Sequence, residues 1–558
     1  MSLLFPSKLS NLPFECLQRI FHEFEENSLY SCCLVNRTWC QIAIPLLWRS
    51  PFHFIRKDDS ESFITSIISN IPYNSPAPSN SSLSFNSSKV LIQTYLRCLP
   101  NSIKNLLIEN GLNIPKSIIN TKSPLFRYET YIKSISYSKI YNIITEWFEV
   151  EINDLKDINE REGLEYLVTE KLIRLFISSS NSILNLSLTD DDEIPSLPPI
   201  TLFPNSENSL HNLVKLTCIG NYQYNMKDLL ISLIEISRNI KEIIIGGLST
   251  SVEIKLFGKL IKSQKSLKSI EILGNGPINL QMITFDILNP LYTQKNTLEN
   301  IKFLNCDFEE CTCLYPIIFL PILKSIEFEK CRNLVLQDLN SINNLKNFIP
   351  KLQIFKSREC YIPPLTIETV IRNSYQSLSV IELSRKLSKD ESKILLYNIS
   401  PYCKNLKVLD IKIFQDDIEG FLNLLKYCEN LKELTIFGDD IYAEDLLPLI
   451  SKNLSSNNLK KLCFIGNWIF SNNNNFIGLI NFLQNFKFNL PKILTFQSNN
   501  FINNNHLNSI INWIIINEFE INNFEKLELI YCEKCEKLKL FQDLLLKQRT
   551  KNFVIEIL

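Results

Sequence analysis

Apolar residues recur in one local pattern through the last two thirds of the chain: one anchor, a second three places on, a third two places further. The pattern is clearest at Leu406/Leu409/Ile411, Leu431/Leu434/Ile436 and Leu459/Leu462/Phe464. Earlier copies are Ile183/Leu186/Leu188, Leu213/Leu216/Cys218, Ile240/Ile243/Ile245, Leu267/Ile270/Ile272, Leu298/Ile301/Phe303, Leu323/Ile326/Phe328, Leu352/Phe355/Ser357 and Leu378/Ile381/Leu383. Pro491/Leu494/Phe496 and Phe524/Leu527/Leu529 are weaker copies near the end. The last two anchors of each copy, two residues apart, lie on one side of a short strand. Between Leu216 and Leu527 the middle anchors are spaced by 27, 27, 31, 25, 29, 26, 28, 25, 28, 32 and 33 residues. Each interval leaves room for a helix that carries the chain back to start a parallel neighbour. Leu422, Leu424, Leu425 and Tyr427 fit such a return segment.

The first fifty residues follow a different period. Leu17, Ile20, Phe21 and Phe24 fall at i, i+3, i+4 and i+7, the apolar stripe of a helix. Pro13 suits its first turn. A second helix is expected after Ser28, turning Leu29, Cys32 and Cys33 inward. A third carries Trp39, Ile42, Ala43, Leu46 and Leu47, with Pro45 marking its last turn or a kink. Three such helices cannot bury all these groups among themselves, so apolar surface is left for a partner.

Residues 51–182 read as a helical linker and cap. Phe63/Ile64/Ile67/Ile68/Ile71, Ile140/Ile143/Ile144/Trp147/Phe148 and Leu164/Leu167/Val168/Leu172/Leu175/Phe176 have helical spacing. Ile103/Leu106/Ile108 reads as an isolated first repeat. Asn74–Ser88 and Thr189–Ser209 are expected as loops, and Asn472–Asn475 and Asn503–Asn505 as loops lengthening the last repeats. The expected domains are therefore 1–50, 51–182 and 183–558.

Leu12-Pro13 at the entrance, Val35-Asn36-Arg37-Thr38-Trp39 at the third helix and Leu47-Trp48-Arg49 at its end resemble an F-box. The resemblance implies that Leu12, Pro13, Leu17, Ile20, Phe21, Leu34, Val35 and Trp39 include the groups that meet a Skp-type adaptor. Phe24 stands where many F-boxes have Leu. The repeat periods resemble leucine-rich repeats of the longer, helix-bearing type, and Cys306, Cys331, Cys360 and Cys532 resemble the post-strand cysteines of the repeats that often follow an F-box. Together these imply an α/β chain: a small all-α F-box, a helical linker, and a curved solenoid with a parallel sheet on its concave face. The implied function is the substrate-recognition subunit of a cullin-RING ubiquitin ligase, itself without catalytic chemistry. The alternative is an F-box or repeat scaffold for protein–protein interaction without ligase activity.

Composition agrees with a binding protein. Fifty-eight basic residues balance 59 acidic ones, giving no global attraction to nucleic acid or an anionic membrane. The start lacks an uninterrupted apolar signal region, and windows such as Ile317–Leu323 and Ile510–Ile516 are too short to cross a bilayer. The chain is expected to be intracellular, cytoplasmic and/or nuclear, with its 16 cysteines as buried thiols. Zinc is the sharpest alternative for the cysteines. Cys311-x-Cys313 is too close, however, and Cys532-x-x-Cys535 lacks a second hook nearby. The four histidines, at 22, 53, 211 and 506, belong to no recognisable catalytic motif, and no phosphate-binding glycine loop is present. No catalytic residue, metal or cofactor is expected.

The residues between the second and third anchors form one row of the expected sheet, including Glu271, Lys302, Glu327, Lys356 and Glu382. Their alternating charges can pair laterally or select a partner's complementary face. One place beyond the third anchor stand Ile219, Leu273, Leu304, Phe437 and Ile465. With Trp468 nearby, Phe437 and Ile465 form the preferred apolar contact patch, unless they fold into the core.

Overall fold

The computed structural model describes residues 12–53, 82–114, 124–151, 158–189, 197–220, 225–247, 250–274, 284–308, 315–334, 349–383, 386–454 and 459–469, with shorter stretches at 481–482, 484–485, 491–497, 526–530 and 554–557. Two compact units divide the chain, 1–267 and 268–558.

The first unit opens with three helices, α1 (Phe14–His22), α2 (Glu26–Cys33) and α3 (Arg37–Leu47). Pro13 lies one place outside α1, as its N-cap, and its carbonyl accepts from Cys16 and Leu17. The second helix starts before Ser28 rather than after it, with Glu25 as N-cap. Pro45 lies in the last turn of α3. Behind them come helices Ser82–Cys98, Asn101–Glu109, Tyr137–Glu151 and Ile158–Ser179.

Four strands of this unit run parallel in chain order: β1 (Ser134–Ser136), β2 (Asn185–Thr189), β3 (Lys215–Ile219) and β4 (Glu242–Gly246). Helices Met226–Ile236 and Ser251–Ser263 follow β3 and β4. Thr250 and Glu253 form a reciprocal capping box that starts the second of these.

The second unit continues the same alternation. Its strands are β5 (Ser269–Leu273), β6 (Asn300–Leu304), β7 (Ser325–Glu329), β8 (Ile354–Arg358), β9 (Val380–Glu382), β10 (Val408–Phe414), β11 (Glu433–Tyr442), β12 (Lys461–Ile469), β13 (Ile493–Gln497), β14 (Lys526–Ile530) and β15 (Val554–Ile557). Each pairs in parallel with the next. Middle anchors face middle anchors, as Ile270 with Ile301 and Leu409 with Leu434. The anchors are buried while the residues between them are mostly half-exposed; β10 alternates perfectly. Helices Pro364–Ser374, Lys389–Ile399, Ile418–Tyr427 and Ala443–Asn453 supply the return segments.

One backbone device repeats along both units: a carbonyl just before a strand accepts from two successive N–H groups of its neighbour. Lys133 O accepts from Leu184 at 2.8 Å and Asn185 at 3.0 Å, and Lys407 O accepts from Lys432 at 2.7 Å and Glu433 at 2.9 Å. The first carbonyl of this kind lies outside the sheet. Arg49 O, just after α3, accepts from Lys133 at 2.9 Å and Ser134 at 3.2 Å. Aromatic packing reinforces this join: Trp48 meets Tyr95 and Tyr128 at 5.7 and 4.1 Å, and Phe52 meets Tyr95 and Phe176 at 5.7 and 5.8 Å between ring centroids.

Residues 51–210 depart from expectation in three places. Ile103/Leu106/Ile108 is not a repeat strand but part of the helix Asn101–Glu109, because anchors three apart suit a helix equally well. Leu107 and the stem of Lys104 face inward there, and Ile108 is exposed. The actual first strand is β1, where Ile132, Ile135 and Tyr137, all fully buried, carry the same anchor spacing. Residues 82–88 belong to a helix rather than a loop; Ser88 donates to Glu146 from within it. Thr189–Ser209 is also less open than expected, since Leu197, Ile200 and Phe203 are buried and Ser206–Leu210 is helical. Phe63–Ile71, Asn472–Asn475 and Asn503–Asn505 lie outside the described residues. No helix among the described residues is long and apolar enough to cross a membrane.

Candidate functional site

The first candidate surface lies on α1–α3. Leu17 and Phe21 are buried, and Phe21 sits 5.1 Å from the Trp39 ring in an edge-on contact and 5.4 Å from Phe24 in a stacked one. Of the eight resemblance-derived positions, these two therefore hold the helices together rather than face outward. Leu12, Ile20 and Trp39 are half-buried, and Pro13 is exposed. Leu34 and Val35, in the turn between α2 and α3, are 66% and 57% exposed, which makes them the most open large apolar pair of the module. Phe14 and Phe24 are exposed as well.

Local chemistry explains that turn. Asn36 is the N-cap of α3, and its side-chain oxygen accepts from the Trp39 N–H at 2.9 Å. The cap fixes where the helix begins, so the two preceding apolar residues stand outside it. Trp39 Nε1 is buried without a hydrogen-bond partner among the described residues. Burial, and then Cys40 and Cys32 beside it, push the Cys33 thiol up to about 12, which keeps it neutral.

The second candidate surface is the face of the second unit's sheet away from the buried anchors. Glu271, Lys302, Glu327, Lys356, Glu382 and Asp410 occupy successive positions of one row. Lys302 reaches Glu271 at 3.2 Å and Glu329, in the adjacent row, at 3.6 Å. Lys356 reaches Glu382 at 3.1 Å and Glu327 at 3.9 Å, while Arg358 Nε donates to Glu382 at 2.5 Å. The alternating charges thus pair laterally, with Glu329 and Arg358 as participants that the single-row reading missed. Their signal was available: they stand in the row that also contains Leu273 and Leu304.

Asp410 breaks the alternation, following Glu382 where a cation would continue it. Burial pushes its carboxyl up to about 6, Glu382 adds to the rise, and a hydrogen bond from Thr435 opposes it. A carboxyl with a raised folded-state pKa binds its proton more tightly in the fold, so its contribution to stability falls as pH rises from about 4 through about 6. Denaturant unfolding at pH 4 and 7 is expected to show a loss of roughly 2–3 kcal/mol from this group, absent in Asp410→Asn.

The apolar patch at β11 and β12 is smaller than expected. Ile465 is half-exposed and pairs with Phe437, which is 9% exposed. Trp468 does not line the surface: it is 1% exposed, packs edge-on to Phe464 at 5.1 Å, and donates from Nε1 to Ile465 O at 3.1 Å. Gly438 makes this possible, since a Cβ there would lie 2.6 Å from the Trp468 ring.

The described cysteines are free thiols. Cys306 Sγ donates to Ile272 O at 3.5 Å, Cys331 Sγ to Phe303 O at 3.5 Å, and Cys360 Sγ accepts from the Cys331 N–H at 3.0 Å. Contact with Cys306, with burial behind it, pushes Cys331 up to about 12. These thiols close the strand ends. No cluster of three or more His, Cys, Asp or Glu able to hold a metal occurs among the described residues. Cys311, Cys313, Cys532 and Cys535 lie outside those residues.

Among known families, the F-box-like family model matches residues 9–53, which takes in all of α1–α3 and the turn that follows. A search of curated proteins finds no match to the chain. The amino-terminal module is therefore an F-box-like domain, a class that mediates protein–protein interaction. Behind it stands a repeat-like parallel sheet.

Proposed function

We propose that this chain is the target-recognising subunit of a cullin-RING ubiquitin ligase. The F-box-like helices dock a Skp-type adaptor, and the strand-and-helix units form a leucine-rich-repeat solenoid whose sheet face holds the target protein. The observation that carries this reading is the pairing of an F-box-like module that leaves Leu34 and Val35 in solvent with a long parallel sheet displaying a patterned polar face. Chemically, the contribution is proximity. A target held on one surface and an adaptor on another bring target lysines to a ubiquitin-loaded enzyme at high effective concentration. The chain itself makes and breaks no bond, and it works inside the cell, in the cytoplasm and/or nucleus.

Co-purification with a Skp-type adaptor and a cullin tests the reading. Capture is expected for the full chain and is expected to fall at least tenfold for Leu12→Ala with Pro13→Ala. Failure of the full chain to capture the adaptor would remove the ligase assignment, and a ubiquitin thioester formed on the purified chain alone would contradict a non-catalytic role.

A further inference from the structure

Two basic groups meet where the F-box-like module joins β1, and a third lies close enough to feel the charge of one of them. Arg49 Nη1 points at His22 Nδ1 at 3.3 Å, and Nη2 points at His22 Nε2 at 3.4 Å. A neutral imidazole offers one acceptor nitrogen, so only one of these approaches is a hydrogen bond. Most of the five guanidinium N–H donors have no acceptor among the described residues. Lys133 stands beside them, held by its own main-chain N–H on Arg49 O at 2.9 Å, and its ammonium donates to Ser182 O at 2.9 Å. Burial holds Arg49 below its ordinary value; it does the same for Lys133, where the Arg49 charge adds to the effect. No carboxylate of the described residues is among the groups acting on either side chain.

Two half-buried cations, near enough for one charge to act on the other, thus stand without an acidic partner among the described residues, while His22 is open to solvent. We propose that this cluster is a binding site for a phosphate group, with the Arg49 fork gripping two of its oxygens and Lys133 and His22 meeting the others. A carboxylate brings one charge and two oxygens; a phosphate monoester or free phosphate brings up to two charges and at least three, matching the two fixed cations and the planar fork. The site goes beyond adaptor docking and target presentation and depends on neither.

Titration calorimetry and thermal unfolding of the full chain test it, with inorganic phosphate as one probe and a phosphoserine peptide of otherwise neutral residues as the other. Sodium chloride at matched ionic strength is the reference. Saturable binding of at least one probe is expected, with affinity at least tenfold weaker in Arg49→Gln and in Lys133→Gln. Preference between the probes identifies a free anion or a phosphorylated residue as the source. His22→Gln, at an exposed position, is expected to weaken binding several-fold and keeps the test decisive where the other variants fold poorly. Absence of saturable binding by both probes, or undiminished binding in folded variants, would overturn the proposal.

Discussion

Replacing Leu34 and Val35 together with Asp is expected to abolish capture of a Skp-type adaptor while leaving the thermal unfolding of the chain almost unchanged. Both side chains are largely in solvent, so charging them disturbs little internal packing. Adaptor binding would require burying two carboxylates against an apolar surface, and loss of a hot-spot pair of this kind weakens association by about 30-fold or more. Leu17→Ala and Phe21→Ala should also reduce capture, but by another route. Those side chains are buried, and each truncation is expected to cost about 2–5 kcal/mol of module stability. Calorimetric binding combined with circular dichroism distinguishes a damaged surface from a damaged fold. Equal destabilisation by both sets would show that Leu34 and Val35 are core residues after all.

A second large effect is expected at Trp48. Its ring is 6% exposed and lies against Tyr95 and Tyr128, on the helix Ser82–Cys98 and the segment before β1. Trp48→Ala removes the aromatic group common to both contacts and is expected to destabilise the first unit by about 3–5 kcal/mol. Trp48→Phe should recover a substantial part of that loss by keeping an aromatic surface in place. Urea unfolding followed by far-ultraviolet circular dichroism measures both. A loss below about 1 kcal/mol in Trp48→Ala would mean that the module is held to the linker by the backbone and Phe52 alone.

The repeat strands were legible because their anchors satisfy two constraints at once: an apolar spacing of three and then two, and a long return interval. Leu409, Leu434 and Leu462 meet both, and they pair directly across neighbouring strands. Where only the first constraint is checked, the reading fails. Ile103/Leu106/Ile108 has the spacing but lies on a helix, whereas Ile132/Ile135/Tyr137 has the spacing and brackets the strand, with Ile135 at its centre. The long interval from Ile135 to Leu186, filled by two helices, hid the latter.

The site was legible to a smaller extent. Alternating charges along one row identified Lys302 and Lys356 as bridging groups, but side-chain reach placed Glu329 and Arg358 in the same network from the neighbouring row. Trp468 shows the opposite error. A large aromatic after an exposed strand position reads as surface, yet the missing side chain of Gly438 leaves room for its ring to turn inward. In the F-box-like module, periodicity marks Leu17 and Phe21 as apolar without saying whether they face the neighbouring helices or a partner; three-dimensional packing decides that.

The Arg49 carbonyl also affects how the chain can be dissected. A strand at the start of a parallel sheet presents unpaired N–H and C=O groups to any passing chain. Here Arg49 O, two residues beyond α3, accepts the N–H groups of Lys133 and Ser134 at the start of β1. A truncation beginning after residue 53 would remove the F-box-like module and uncover that edge in one step, inviting self-association that mimics loss of function. Point changes at Leu34 and Val35 leave the edge covered, and so they are the cleaner test of the docking proposed for the module.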